Sequence, residues 1–89
     1  MIEGKLNLPP KEVRLSKKGT EWTYFTIKNE TQDICKVLCF GSLALEVEHK
    51  LKNLKEGTLI YIVGDYGEED RGIKTIKAKD VFIDKPHLS

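Results

Sequence analysis

The sequence predicts an all-β fold, a five-stranded barrel with one α-helix between its third and fourth strands. Most of the chain alternates apolar and polar residues with the period of two that strands have. From residue 43 the period lengthens, and one helical face carries four apolar residues, Leu43, Val47, Leu51 and Leu54. A single helix at this point of an otherwise all-β chain is the arrangement of the OB fold. We therefore expect an OB-fold barrel.

The first two strands lie in the N-terminal third of the chain. The first is expected at residues 2–8, and Pro9-Pro10 end it because proline cannot donate to a β-ladder. A short extended piece at residues 13–15 and a basic turn precede the second strand, residues 20–29. One face of the second strand carries Thr23, Phe25 and Ile27, and the other carries Trp22, Tyr24, Thr26 and Lys28. Because both faces hold aromatic residues, we expect one of them to point away from the core.

The helix is flanked by the third and fourth strands. In the third strand, residues 34–40, the small residues Cys35, Val37 and Cys39 alternate with larger ones. We expect Ser42 to cap the start of the helix and Gly57 to end it, since glycine tolerates the positive φ of a helix stop. The fourth strand is expected at residues 59–63, with Gly64 breaking it.

The fifth strand, residues 73–83, has an irregular apolar pattern. One pair of apolar residues has the opposite parity to the next pair: Ile76 and Ala78 against Val81 and Ile83. One extra residue near positions 79–80, a β-bulge, would place all four side chains on one face.

Length and composition limit the class of protein. With 89 residues, 39% hydrophobic and 33% charged, the chain is expected to be one globular domain over residues 1–84 with a short tail at 85–89. No apolar run approaches the ~20 residues that cross a bilayer, and the start lacks the features of a signal peptide, so a cytoplasmic protein is expected. The net charge of +1 excludes a binder that relies on overall charge. Any nucleic-acid face must be a local groove.

Nothing in the sequence supports catalysis, a metal site or a cofactor. Cys35 and Cys39 lie four residues apart on one strand, roughly 13 Å, which is too far for a disulfide. The two histidines have no metal-ligand spacing, and no phosphate loop, serine elbow or Cys–His pair is present. We expect a non-enzymatic protein with both cysteines in the core.

Aromatic and basic residues are interleaved on neighbouring strands, which is typical of proteins that bind single-stranded nucleic acid. Aromatic rings stack on bases, each stack contributing about 1–3 kcal/mol, and ammonium groups contact phosphates. The alternative is that Trp22 and Tyr24 pack in the core and that the loop cations are simply solvated. The candidate nucleic-acid-binding residues are Lys18, Trp22, Tyr24, Lys28, Lys36, Phe40, Tyr66, Arg71 and Lys74.

Several motifs follow one another in a fixed order along nearly the whole chain. They are Gly4-Lys5-Leu6, Pro10-Lys11-Glu12-Val13-Arg14, Phe25-Thr26-Ile27, Phe40-Gly41-Ser42-Leu43-Ala44, Lys55-Glu56-Gly57 and Val63-Gly64. In this order they resemble the bacterial and phage single-stranded DNA-binding proteins. The resemblance implies an OB fold and sequence-tolerant binding of single-stranded DNA, with Phe40 stacking on a base and Lys36 facing the DNA. The family's third-strand tryptophan falls on Ile34, so we expect Trp22 and Tyr24, one strand across, to supply the missing stack.

The chain also departs from that family. From residues 84–89 we expect it to lack the acidic tip that recruits repair proteins, and its loops are short, so a small phage- or plasmid-type member is expected. A homodimer or tetramer is expected, because one small barrel offers a short groove. The expected role is to protect single-stranded DNA during replication or recombination. RNA binding on the same fold is an alternative, and so is an OB module that binds a protein partner through Trp22 and Tyr24.

Overall fold

The computed structural model describes residues 1–83, which form six β-strands and one α-helix. The elements are β1 (Ile2–Leu8), β2 (Arg14–Leu15), β3 (Glu21–Lys28), β4 (Ile34–Phe40), α1 (Ser42–Leu51), β5 (Leu59–Tyr66) and β6 (Lys74–Phe82). The short β2 is the predicted extended piece before the second strand. The predicted domain boundary at residue 84 and the tail at 85–89 lie outside the described residues.

Five of the strands close into a barrel. Their order is β1-β5-β6-β4-β3, and β3 pairs back with β1 to close the circle. The β4–β6 pair is parallel, and the other pairs are antiparallel. Helix α1 follows β4 in sequence and packs against β3, β4 and β6. The predicted OB-fold barrel is therefore confirmed, with its helix between the third and fourth barrel strands.

The alternation within β3 and β4 separates the core from the surface. The inner positions of both strands are at most 2% exposed: Thr23, Phe25, Ile27, Cys35, Val37 and Cys39. Burial of each large apolar side chain stabilises the fold by about 1.5–3 kcal/mol. The buried Thr23 hydroxyl donates to the Lys11 carbonyl at 2.8 Å, so its polar group is satisfied. As a consequence the remaining side chains of both strands point outward.

Both predicted ends of the helix are wrong. Gly41, with φ 65°, is the N-cap residue and no side chain caps the helix, so Ser42 is its first residue. The helix ends at Leu51, six residues before Gly57. Gly57 has φ 91° for a different reason: its N–H donates to the Leu6 carbonyl at 2.8 Å, in the turn that leads into β5.

Within residues 1–83, no helix is long and apolar enough to cross a membrane.

The pairing of β5 with β6 confirms the predicted bulge and corrects the predicted end of β5. Val63 pairs with Asp80 and Gly64 pairs with Ala78, so Lys79 is the extra residue. Gly64 does not break β5, which continues to Tyr66. Instead, glycine is needed there because the opposite backbone comes close: a Cβ on Gly64 would meet the Ala78 Cα at 2.9 Å and clash still harder with the Lys77 carbonyl.

Candidate nucleic-acid interface

The outward side chains of β3 and β4 form one continuous surface, the β3–β4 face. The antiparallel register places them opposite one another in pairs: Trp22 with Phe40, Tyr24 with Leu38, Thr26 with Lys36, and Lys28 with Ile34. Phe40 is 40% exposed and Trp22 and Tyr24 are half-buried, so their rings are available at the surface. The core placement of Trp22 and Tyr24, the alternative that the sequence left open, is thereby excluded.

Two of the rings on this face, those of Trp22 and Tyr24, have nearly parallel planes. The ring centroids of Trp22 and Tyr24 are 6.3 Å apart, with 17° between the planes. Phe40 lies directly across from Trp22 on the neighbouring strand. Three aromatic residues of this face are thus concentrated around one end of the β3–β4 pair.

Lysine ammonium groups lie over these rings. The Lys36 Nζ is 4.3 Å from the Tyr24 ring centroid, and the Lys11 Nζ is 5.8 Å from the same centroid. The Lys77 Nζ is 5.7 Å from the Phe40 centroid. These distances fit cation–π attraction. Within residues 1–83, none of these three lysines has a carboxylate within 4.0 Å, so no described side chain neutralises their charges.

The local sequence explains why these groups point outward. Small side chains at alternate positions of β4 fill the interior, which leaves the longer ones outside. Two hydrogen bonds hold the flanking segments against β3. The Thr23 hydroxyl binds the Lys11 backbone, and the Asn7 amide donates to the Thr26 hydroxyl at 3.1 Å. The position of Lys11 beside Tyr24 is therefore fixed by the backbone.

Two of the predicted binding residues lie away from the β3–β4 face. Tyr66 and Lys74 share the strand parity of buried Ile76, so they extend beyond the end of the barrel interior. Together with the N-terminus and the β3–β4 loop they line a cleft of about 390 Å³. The Lys74 Nζ lies 3.9 Å from the Asp33 carboxylate, which partly neutralises it.

The other two predicted residues lie in loops. Lys18 is in the turn before β3, at the end of the face that holds Trp22 and Phe40. Arg71 is at the tip of the β5–β6 loop, beyond the opposite end. There Arg71 and Gly72, with φ 54° and 82°, form a two-residue turn closed by backbone hydrogen bonds between Asp70 and Ile73. The two loops therefore flank the face from its two ends.

The structure adds three cations that the sequence did not single out. Lys11 reaches Tyr24 from the segment before β2, Lys77 reaches Phe40 from β6, and Arg14 of β2 pairs directly with Trp22. The alternation Ile76, Lys77, Ala78 indicates that Lys77 points outward. It does not reveal that β6 lies beside β4, because that parallel pairing joins strands that are distant in sequence.

The cysteines are structural. Cys35 and Cys39 are free, each is 0% exposed, and burial raises the pKa of the Cys39 thiol to about 12. Burial also raises the pKa of Cys35, opposed by the nearby Lys74 charge. Within the described part of the chain, no group of three or more His, Cys, Asp or Glu residues is placed to hold a metal ion.

No protein-family model and no curated protein sequence matches the chain. Several solved structures, however, have a similar fold. The single-stranded DNA-binding protein from Thermus aquaticus matches with a TM-score of 0.70 at 19% identity, covering 98% of this chain and 40% of that one. A deletion mutant of the same protein gives 0.69 at 19% identity, with the same coverage. The SSB domain of a Synechococcus sp. protein gives 0.70 at 13% identity, covering 91% of this chain and 93% of that one.

These matches concern the fold. This chain spans 40% of the length of the Thermus aquaticus protein but nearly the whole of the Synechococcus domain. At such low identities the likeness is one of architecture: the chain has the OB-type barrel found in these single-stranded DNA-binding proteins.

Proposed function

We propose that this chain is a non-catalytic protein that binds single-stranded DNA with little regard to sequence and protects it during replication or recombination. The observation that carries the proposal is the β3–β4 face itself. Three exposed or half-buried rings and three ammonium groups, none of them paired with a carboxylate among residues 1–83, share one side of the barrel. Stacking needs only the π-face of a base and a phosphate contact needs only its charge, so neither selects a sequence.

The topology supports the same surface. In OB folds the faces of the second and third barrel strands, which are β3 and β4 here, bind oligonucleotides together with the flanking loops. Those loops carry Lys18 and Arg71, which would extend phosphate contacts beyond the two ends of the face. Tyr66 and Lys74 would contribute only if the strand continues into the cleft at the barrel end.

Two further properties belong to the proposal. The bound strand would be longer than one face, so a homodimer or tetramer that joins several faces suits the role. We also propose a small phage- or plasmid-type protein that acts in the cytoplasm; the short loops at residues 29–33 and 67–73 support the small phage- or plasmid-type member.

Salt dependence tests the proposal and separates it from the protein-binding alternative. Binding of fluorescently labelled oligo(dT) is measured by anisotropy over a range of salt concentrations, with oligo(rU) and duplex DNA as competitors. Four lysines of the face (Lys11, Lys28, Lys36 and Lys77) would contribute about −3 to the slope of log affinity against log salt, at about −0.7 per contact, and loop cations that also contact phosphates would make the slope steeper. An interface evolved for a protein partner would leave oligo(dT) unbound.

A charge variant sharpens this test. Lys36→Met keeps the apolar stem and removes the ammonium, so the slope should fall in magnitude by about 0.7 and the affinity should drop at every salt concentration. The matched control is Lys52→Met, at the exposed C-cap of α1, which should leave both values unchanged. An unaltered slope in Lys36→Met would contradict the assignment of phosphate contacts to this face.

A further inference from the structure

The ring centroids of Trp22 and Tyr24 are separated by nearly the distance that a third ring between them would need. Their centroids are 6.3 Å apart with 17° between planes, which is the wide end of the range for aromatic pairs, about 4.5–7 Å. Stacked bases rise about 3.4 Å, so a base held between two rings needs about 6.8 Å. A centroid distance is the upper limit of the distance between two nearly parallel ring planes, so at 6.3 Å the rings must open by at least about 0.5 Å to admit a base.

This spacing is a property of the backbone. A strand advances about 3.3–3.4 Å per residue, so side chains two residues apart on one face stand about 6.7 Å apart. The β3 strand is held on both sides, by β4 along its whole length and by β2 at Trp22. The backbone positions of the two residues are therefore fixed before any ligand arrives, which lowers the cost of ordering them on binding, and only a small rotation of the side chains is needed to admit a base.

Two lysines lie over the Tyr24 ring, Lys36 at 4.3 Å and Lys11 farther away at 5.8 Å from its centroid. Along β3 the outward order is Trp22, Tyr24, Thr26, and Lys36 is paired with Thr26. The Lys36 ammonium thus approaches Tyr24 from the side away from Trp22, at 4.3 Å from the ring centroid. Arg14 pairs with Trp22 across the other edge of β3, which brings an exposed arginine beside that ring, and guanidinium groups bind phosphates.

We propose that Trp22 and Tyr24 form a clamp that holds one unpaired base between their rings, instead of serving as two platforms that stack one base each. The inference rests on the proposed function and specifies how its ligand is bound. A clamp takes one base per barrel, and Phe40 across the strand pair receives a neighbouring base.

A ligand with a single base distinguishes a clamp from two platforms. The probe is an oligonucleotide of abasic sites that carries one 2-aminopurine, whose fluorescence is quenched by stacking. In a clamp the one base touches both rings, so Trp22→Leu and Tyr24→Leu should each weaken binding at least about fivefold. With independent platforms the base would move to the remaining ring, and only the double variant would lose affinity.

Leucine keeps the apolar bulk of each half-buried ring, and thermal melts check that the variants stay folded. Leu45→Ala, an exposed apolar truncation on α1, is the matched control and should leave the affinity unchanged. The clamp is overturned if each single variant binds the one-base probe within about twofold of the wild type. It is also overturned if the wild type binds oligo(dT) but not the one-base probe. Failure of the wild type to bind oligo(dT) would instead remove the proposed function itself.

Discussion

The two buried thiols illustrate how placement inside the barrel determines the chemistry of a side chain. Cys39 is 0% exposed, and burial raises its pKa from an ordinary 9.0 to about 12, since a thiolate would be an unsolvated charge in an apolar core. Reactive cysteines need the opposite environment, exposed and electropositive. Both thiols therefore act as small apolar packing groups.

We expect iodoacetamide at pH 8 to modify neither thiol in the folded protein and both in urea, as counted by mass spectrometry. The raised pKa of Cys39 also makes the unfolding free energy of the protein depend on pH. Because the folded pKa of Cys39 is raised, its contribution is complete below about pH 9 and is lost as the pH rises toward 12. The fall in unfolding free energy over that window should be smaller in Cys39→Ala. In the iodoacetamide experiment, rapid alkylation of the folded chain would contradict the expectation, because it would show that the reagent reaches the interior.

On the outer face, single residues differ in how well they could be predicted. Parity placed Trp22 and Tyr24 on one face of their strand and Lys36 opposite the small residues of its own strand, and the family resemblance indicated that these faces point outward. Lys11 and Lys77 were missed because their proximity to the rings depends on chain segments that pack from elsewhere. A periodicity describes one strand at a time and cannot name the strand beside it.

At the scale of the element, the β5–β6 pair shows how one bulge adapts a strand to the barrel. The extra residue Lys79 restores Ala78 and Val81 to the interior, and it was predictable because an apolar pattern that changes parity within a strand needs such a correction. The role of Gly64 was not predictable. A strand-breaking glycine and a glycine that admits a close neighbouring backbone look identical in sequence.

Gly64→Ala should consequently destabilise the protein by about 2 kcal/mol or more, because the new Cβ would collide with backbone atoms of Lys77 and Ala78 that cannot move aside cheaply. Gly67→Ala is the matched comparison. Its Cβ would meet the Thr75 hydroxyl at 3.1 Å, a side-chain atom, so the loss should be much smaller. Urea unfolding of both variants measures the difference. Equal stabilities would contradict the close approach of β6 at Gly64.

The ends of α1 were also beyond the sequence. The apolar period extends to Leu54, yet the helix ends at Leu51 and the next residues turn back toward β5. Gly57 is used where the chain hydrogen-bonds to β1, so tertiary contacts decide its role. Such contacts override local signals at the boundaries of elements.

At the scale of the whole molecule, the order of elements was sufficient to predict the OB barrel, because few folds accommodate one helix between the third and fourth of five strands. Closure of β3 on β1 and the parallel β4–β6 pair follow from that fold and not from any local pattern. The barrel brings rings from two strands and cations from five segments to one surface. That convergence is the basis for the proposed binding of single-stranded DNA.

The most direct test of this proposal uses the single tryptophan of the chain, Trp22, as its own reporter. Its fluorescence is titrated with oligo(dT) at low and at high salt. Binding at the β3–β4 face predicts strong quenching that weakens as salt rises, because the ring stacks on a base while ammonium groups hold phosphates. Unchanged fluorescence, together with no shift of oligo(dT) in a gel, would contradict the proposal and favour a protein partner for this surface.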